Sequence, residues 1–245
     1  GGLLVHKSTH HFDLVNWWID AIPEQVFAFG RLDFYGRNAA IARGDNALTT
    51  YARYTGEQAA AKDPFNLDMR GIESFKGLYL NAEADSGYVR DRNVFREGID
   101  IYDNMSVVVR YRTGVLLNYS LLSFSPREGM QVAINGDRGR IEYAEFQPTH
   151  IPEAASAEAP RAIEDQGSES IRVYPLFKPS YAVEVEKLPG SHDGSDPILS
   201  EHLFSPTAPR DPFNRKAGHE QGAASILIGI AANQSIAQNR PINIT

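Results

Sequence analysis

The sequence predicts an α+β fold, in which a large, mostly antiparallel and open β-sheet has helices packed on one face. Four β-branched or aromatic stretches follow one another between residues 104 and 146, separated by turn residues. Helical patterns stand at both ends of the chain. Successive hairpins form an antiparallel meander, of which one face can be covered by helices while the other stays open.

The first element is a predicted helix over residues 9–19. Apolar and aromatic side chains recur there at helical spacing, Ser8 or Thr9 can cap the start, and Pro23 follows the end. The partial alternation of residues 25–35 then favours a half-buried strand.

A long excursion follows the first strand. Between residues 36 and 95 the periodicity weakens while polar and aromatic residues accumulate, with short helical patterns at 56–61 and 72–80. Excursions of this length are often functional or take part in oligomers.

The middle of the chain contains the clearest strand patterns, which cover residues 104–111, 115–123, 130–135 and 140–146. Thr113-Gly114 provides the turn of the first hairpin, and residues 135–139 provide that of the second. Residues 154–169 are rich in Ala, Glu, Ser and Pro, which indicates a mobile loop or an insertion at the sheet rim. Strand patterning resumes at 171–177 and 181–188.

The C-terminal pattern predicts a helix over residues 218–237, after an aperiodic segment at 189–212. Its apolar stripe contains several small residues, which favours close packing on a sheet. Asn239 and Pro241 end the helix, and residues 241–245 can form a short final strand.

The composition excludes several classes of function. Thirty-one acidic and 24 basic side chains give a net charge of −7, so no diffuse positive field attracts nucleic acid or anionic lipid. Cysteine is absent, which excludes disulfides and thiolate chemistry. The apolar runs are shorter than the roughly 20 residues that cross a bilayer. We therefore expect neither a nucleic-acid nor a membrane partner, and favour the cytoplasm, although periplasm or secretion would suit this composition too.

The densest chemical cluster is the run His6-Lys7-Ser8-Thr9-His10-His11-Phe12-Asp13. If the helix begins as early as His6, then His6, His10 and Asp13 share one helix face. An imidazole exchanges protons near neutral pH, and a carboxylate can orient it. The alternative is structural, with one histidine packed under Trp17 and Trp18 and with Asp13 capping or pairing.

The same cluster has the spacing of a two-histidine metal site, at His6 and His10. A third ligand could come from one of the following carboxylates or imidazoles: Asp13, His192, Asp193, Asp196, His219 or Glu220. Lys7 would repel a cation, and the glutamate of zinc proteases is absent from the motif. We assign no metal ligand and keep a metal-assisted hydrolase or lyase as an alternative.

Two further polar runs stand later in the chain. Arg90-Asp91-Arg92-Asn93 could recognise hydroxyls or a carboxylate, or it could be a solvated loop tied by Arg–Asp pairs. His192-Asp193-Gly194-Ser195-Asp196 is a third polar run that could take part in chemistry, although Asx-type turns would explain every one of its residues without it. The sequence holds no Gly-rich dinucleotide fingerprint, phosphate loop or nucleophile elbow, so we expect no nucleotide site built by this chain alone.

Nearly end to end, the sequence resembles the C-terminal domain of the Gfo/Idh/MocA family, the glucose-fructose oxidoreductase and inositol dehydrogenase group. That domain opens with Gly-Gly and then Asp-x-x-x-His-x-x-Asp entering a helix. Gly1-Gly2, His10 and Asp13 match this motif, whereas His6 replaces its first Asp and Ser8 its usual Gly. Further similarities are the strands of 104–118, the hairpin of 135–142 and the ending Arg240-Pro241-Ile242.

The resemblance implies one substrate-binding and oligomerisation domain over residues 1–245, in an NAD(P)-dependent oxidoreductase of a sugar or polyol hydroxyl. It implies that NAD or NADP binds mainly to an N-terminal Rossmann domain, which this chain lacks, so the chain alone should not turn over substrate. His10 takes the acid/base role and Asp13 supports it, while the remaining candidates contact substrate: His6, Lys7, Arg90 and Asp91. The open sheet implies a homodimer or homotetramer.

A different class of function is a non-catalytic carbohydrate-binding or assembly module on the same fold. The sequence supports it with tyrosines expected at the surface, which are Tyr35, Tyr51, Tyr54, Tyr79 and Tyr88.

Overall fold

A computed structural model describes residues 1–147, 167–185 and 194–244. The chain forms two compact units, of which the first comprises Gly1–Phe124 and Arg215–Thr245 and the second comprises Ser125–Asn214. The α+β class predicted from the sequence is confirmed, because open antiparallel sheets and several helices make up the described residues.

The first unit contains a four-stranded antiparallel sheet, whose strands are β1 (Pro23–Arg31), β2 (Asn104–Tyr111), β3 (Leu116–Leu122) and β8 (Ile242–Asn243). Their order in the sheet is β3-β2-β1-β8. Alternate residues of β2 are buried and exposed, as the period of two in a half-covered strand requires.

Three helices cover the inner face of this sheet, namely α1 (Leu3–His6), α2 (Ser8–Ile19) and α7 (His219–Gln238). The core between them is built by apolar side chains from both layers, including Leu4, Phe12, Val26, Val107, Val109 and Ile228. Gly229 lies so close to α1 that a side chain there would overlap the Leu4 carbonyl oxygen. This close approach explains why α7 has a glycine at this position.

The excursion between β1 and β2 contains α3 (Arg37–Arg43), α4 (Glu73–Leu78), α5 (Glu83–Ser86) and four short 3₁₀ turns. The buried carboxylate of Asp103 holds its start, accepting bonds of 2.7, 2.8 and 2.9 Å from the backbone N–H groups of residues 33–35. Those amides are therefore unavailable for a ladder, and β1 ends at Arg31 rather than at residue 35 as predicted.

The second unit contains another four-stranded antiparallel sheet, whose strands are β4 (Gly129–Gly136), β5 (Gly139–Phe146), β6 (Ser168–Pro175) and β7 (Tyr181–Val183). Their order in the sheet is β4-β5-β6-β7. Val132, Tyr143, Ile171 and Val183 stand in one register row, so apolar side chains share one face. The strands predicted as one large sheet thus form two hydrogen-bonded sheets.

Helix α6 (Ser195–Phe204) was not predicted, since it lies within the segment expected to be irregular. Pro197 is tolerated because a helix leaves its first N–H groups unbonded. The apolar residues of α6 form no covered stripe, and Leu199, Leu203 and Phe204 are exposed. Most of the predicted loop at 154–169 and residues 186–188 of the predicted last strand of that unit lie outside the described residues.

Among the described residues, no helix is both long enough and apolar enough to traverse a lipid bilayer.

Candidate functional site

The predicted cluster lies where two helices meet. His6 is the last residue of α1, Lys7 is the joint with φ −108° and ψ −47°, and α2 begins at Ser8. The condition that one helix runs from His6 through Asp13 is therefore not met, whereas the helix predicted over residues 9–19 is present as α2. Ser8 does not cap α2 either, because it is the first residue inside the helix and its hydroxyl has another partner.

His10 and Asp13 lie one turn apart on α2, with His10 exposed and Asp13 half-buried. Burial raises the pKa of Asp13, and the charge of His10 offsets part of that rise. The two side chains are thus electrostatically coupled, and the structure brings together the two residues predicted to be catalytic. An imidazole beside a carboxylate with raised proton affinity can exchange a proton with a hydroxyl.

The sequence did not predict a polar contact between α2 and β3, which lies next to His10 in the sequence. Tyr119 of β3 donates from its hydroxyl to Ser8 Oγ at 2.9 Å, and the same hydroxyl lies 2.9 Å from His11 Nδ1. Its ring also packs on Phe12, with centroids 4.9 Å apart. Burial, and then the charge of His10, lowers the pKa of His11. The sequence signal that could have indicated this contact was the position of Tyr119, which faces inward in the alternating pattern of β3, together with the histidines of α2.

The structural alternative for the cluster placed a histidine under the two tryptophans. His11 is the half-buried histidine, and its ring contact is with Tyr119 at a centroid distance of 5.8 Å. Trp17 and Trp18 are 40% and 38% exposed.

His6 and Lys7 are both exposed, and the His6 ring lies beside Gly1. The start of α1 borders an open cavity of about 480 Å³. Its lining consists of Gly1, Gly2, Leu3, Leu4, Asp100, Ile101, Tyr102, Met105 and Asn233. The cavity therefore adjoins α1, the helix that precedes the His10 turn. Its polar side chains are the carboxylate of Asp100, the phenol of Tyr102 and the amide of Asn233.

Arg90 and Asp91 lie in the excursion and have partners there. The Asp91 carboxylate is buried and accepts bonds from Arg53 Nη2 at 2.8 Å and from the Thr55 backbone N–H at 2.7 Å. Burial alone would raise the pKa of Asp91, but the bonds from Thr55 and Arg53 outweigh it and lower that pKa. The Arg90 guanidinium lies 4.5 Å from the ring centroid of Tyr79. A substrate contact for either residue stays a prediction.

No group of three or more His, Asp or Glu side chains within residues 1–147, 167–185 and 194–244 could hold a metal ion. His192 and Asp193, two of the candidate third ligands, lie outside this part of the chain. Of the tyrosines that supported a carbohydrate-binding module, Tyr51 and Tyr54 are buried at 7% and 3% exposure, contrary to expectation.

Comparison with known families decides the relationship. The family model described as "Oxidoreductase family, C-terminal alpha/beta domain", of the Gfo/Idh/MocA group, matches residues 1–244. The chain belongs to the Gfo/Idh/MocA oxidoreductase family. The predicted resemblance is thereby confirmed over almost the whole chain.

Individual Gfo/Idh/MocA relatives are longer than this chain. It is 37% identical over 262 residues to YteT, a candidate oxidoreductase of Bacillus subtilis (strain 168). The alignment covers 100% of this chain and 56% of YteT. The aldose-aldose oxidoreductase of Caulobacter crescentus, solved with glycerol, matches with a TM-score of 0.53 and 13% identity, over 100% of this chain and 48% of that one. The chain thus spans about half the length of these relatives, and the second likeness supports the fold.

Proposed function

We propose that this chain is the substrate-binding and oligomerisation domain of an NAD(P)-dependent oxidoreductase that acts on a sugar or polyol hydroxyl, with His10 as acid/base. The observation that carries the proposal is the exposed His10 coupled to Asp13 on α2. These two residues stand at the His and Asp of the family motif, in a chain that belongs to the family.

The proton is the part of the reaction that this chain handles. In the direction of oxidation, a neutral His10 accepts the hydroxyl proton of the substrate and becomes positively charged. Asp13 lies one turn away and stabilises that charge when it is ionised. Because His10 is exposed at the first turn of α2, a substrate hydroxyl can reach it without any rearrangement of the core.

The nicotinamide supplies the other half of the reaction, since it exchanges hydride with the substrate carbon when bound. These 245 residues contain no dinucleotide fingerprint, and the strands of the described residues pair only antiparallel, so they hold no parallel βαβ unit. The proposal therefore assigns NAD(P) to a Rossmann domain outside this chain. His6, Lys7, Arg90 and Asp91 remain the proposed substrate contacts.

A His10→Gln substitution in the full-length protein tests this assignment. We expect kcat to fall by about 10²- to 10⁴-fold, because the substrate hydroxyl loses its general base. The thermal midpoint should change little, since the side chain is exposed. Turnover is measured as NAD(P)H absorbance with a panel of aldoses and polyols.

The matched control is His219→Gln, at an exposed histidine that begins α7. It should leave kcat within about two-fold, as surface changes away from a site usually do. Equal turnover in wild type and His10→Gln would favour the non-catalytic module. A divalent ion that remains bound in stoichiometric amount after dialysis would favour the metal alternative instead.

The outer face of the first unit's sheet supports the oligomerisation part of the proposal. Phe27 and Phe29 make an edge-to-face contact at 4.9 Å there, and Val108 stands opposite Phe27. Phe29 is 62% exposed and Val108 42%. Exposed apolar patches of this kind mark protein interfaces.

Phe29→Glu should shift the full-length protein towards monomer, because a carboxylate on this face would lose water on association. Sedimentation velocity measures the distribution. The control is Leu78→Glu, at a residue of α4 that is 70% exposed. An unchanged distribution of oligomers in Phe29→Glu, or an equal shift in both variants, would contradict the role of this face in oligomerisation.

A further inference from the structure

Helix α2 begins without a cap, and His10 lies in its first turn. Lys7 occupies the N-cap position without a side-chain hydrogen bond, and no acidic residue stands in the first turn. The His10 backbone N–H donates to the Lys7 carbonyl at 3.2 Å, across three residues rather than the usual four. The first N–H groups of a helix have no intrahelical acceptors, so an uncapped first turn depends on outside contacts.

Tyr119 contacts the side chains of this turn from the neighbouring strand. Its hydroxyl meets Ser8 and His11, both at 2.9 Å, and its ring packs on Phe12. Ser8 precedes His10 by two residues, while His11 and Phe12 follow it directly. One strand residue therefore contacts side chains on both sides of His10 in the sequence.

The same hydroxyl also selects a form of His11. A phenol carries one proton, and Tyr119 donates it to Ser8 Oγ. Its oxygen is then left to accept from His11 Nδ1, which requires hydrogen on that atom. Burial lowers the pKa of His11, so the neutral Nδ1–H tautomer is favoured over the charged ring. A neutral His11 places no second positive charge next to His10.

We propose that Tyr119 is a positioning residue for His10: its hydroxyl, acting through Ser8 and neutral His11, holds the first turn of α2 where the His10 imidazole can meet the substrate hydroxyl. This inference rests on the proposed function, because Tyr119 acts only through His10.

The test uses Tyr119→Phe in the full-length protein, since phenylalanine keeps the ring against Phe12 and removes only the hydroxyl. Tyr111→Phe is a matched control. Tyr111 is also a largely buried tyrosine, and its hydroxyl donates to Asn16 Oδ1 at 2.8 Å, on the same helix but beyond the first turn. Tyr119→Phe loses the hydroxyl contacts with Ser8 and His11, and Tyr111→Phe loses the one with Asn16. Both variants weaken the attachment of α2 to the sheet, so we expect the thermal midpoint to fall in each.

Two measurements distinguish a role of Tyr119 in positioning His10 from a role in stability alone. In Tyr119→Phe we expect kcat to fall by about ten- to a hundred-fold with KM within about two-fold, because a misplaced base slows the chemical step more than binding. Tyr111→Phe should keep kcat within about two-fold. The ¹⁵N spectra of histidine-labelled protein should show His11 as a single Nδ1–H tautomer in wild type and as a mixture in Tyr119→Phe.

Equal losses of kcat in the two tyrosine variants, or an unchanged kcat and His11 tautomer in Tyr119→Phe, would overturn the role of Tyr119. The proposed function fails separately, by undiminished turnover in His10→Gln. If Tyr119→Phe does not fold, Ser8→Ala removes the partner hydroxyl and should reproduce the fall in kcat.

Discussion

At the scale of single residues, Asp91 is a proposed substrate contact that also has partners within the fold. Its carboxylate joins Arg53 and Thr55, and Arg53 also binds Glu83 at 2.7 Å. Breaking a charged hydrogen bond at a buried group costs about 1–3 kcal/mol. We expect Asp91→Asn to lower the free energy of unfolding at pH 7 by an amount in that range, measured by urea denaturation.

The pH dependence of this loss follows from the direction of the pKa shift. The pKa of Asp91 is lowered in the folded state, so its stabilisation is fully present above the unfolded value, near pH 4. It is lost as the pH falls through the folded value. The difference between wild type and Asp91→Asn should therefore shrink below about pH 4. A constant difference across this range would contradict the assignment, and Asp85→Asn, at an exposed position, is the control.

The sequence predicted His10 and Asp13 because a local motif carries them, three residues apart on one helix. It did not predict Tyr119, because that residue meets His11 across 108 positions of sequence. Arg53 was missed for the same reason, since it pairs with Asp91 only after the excursion folds back on itself. Local spacing fixes neighbours along a helix, whereas partners on separate elements depend on tertiary packing.

At the scale of elements, a glycine in α7 allows α7 and α1 to pack closely against each other. A Cβ at Gly229 would overlap the Leu4 carbonyl oxygen, whereas a Cβ at Gly222 would meet no atom within 4 Å. Gly229→Ala should therefore destabilise the protein by about 1–3 kcal/mol, as overpacking in a filled core does.

Gly222→Ala is the control in the same helix, where alanine should be neutral or stabilising by up to about 1 kcal/mol. Thermal unfolding of both variants in parallel measures the difference. Similar midpoints in the two variants would show that the contact between α7 and α1 is not tight in solution.

Elements with strong periodicity were predicted well, and the remainder were decided by tertiary contacts. β2 was predicted with its observed bounds because buried and exposed residues alternate along its whole length. β1 was predicted too long because Asp103, 70 residues beyond Asp33, takes the amide of that residue. α6 was missed because its apolar residues stay exposed, so no amphipathic stripe marks it.

At the scale of the whole molecule, the proposal divides the chemistry between this chain and a Rossmann domain. We expect the full-length protein to bind NAD(H) and these 245 residues alone to bind none, because their sequence has no dinucleotide fingerprint. Sedimentation with NAD(H) absorbance measures both in one experiment. Tight binding of NAD(H) by the shorter chain would contradict this division of labour.

The hydrogen bond from the Asp103 backbone N–H to the Arg31 carbonyl, at 2.9 Å, brings the two ends of the excursion together. The intervening segment leaves and rejoins the sheet at one point, so its length is independent of the register between β1 and β2. Loops whose ends meet tolerate insertion and deletion at a cost that grows only slowly with length. Evolution could therefore exchange this segment as a cassette, altering the molecule's surface while the layer that carries His10 stays unchanged.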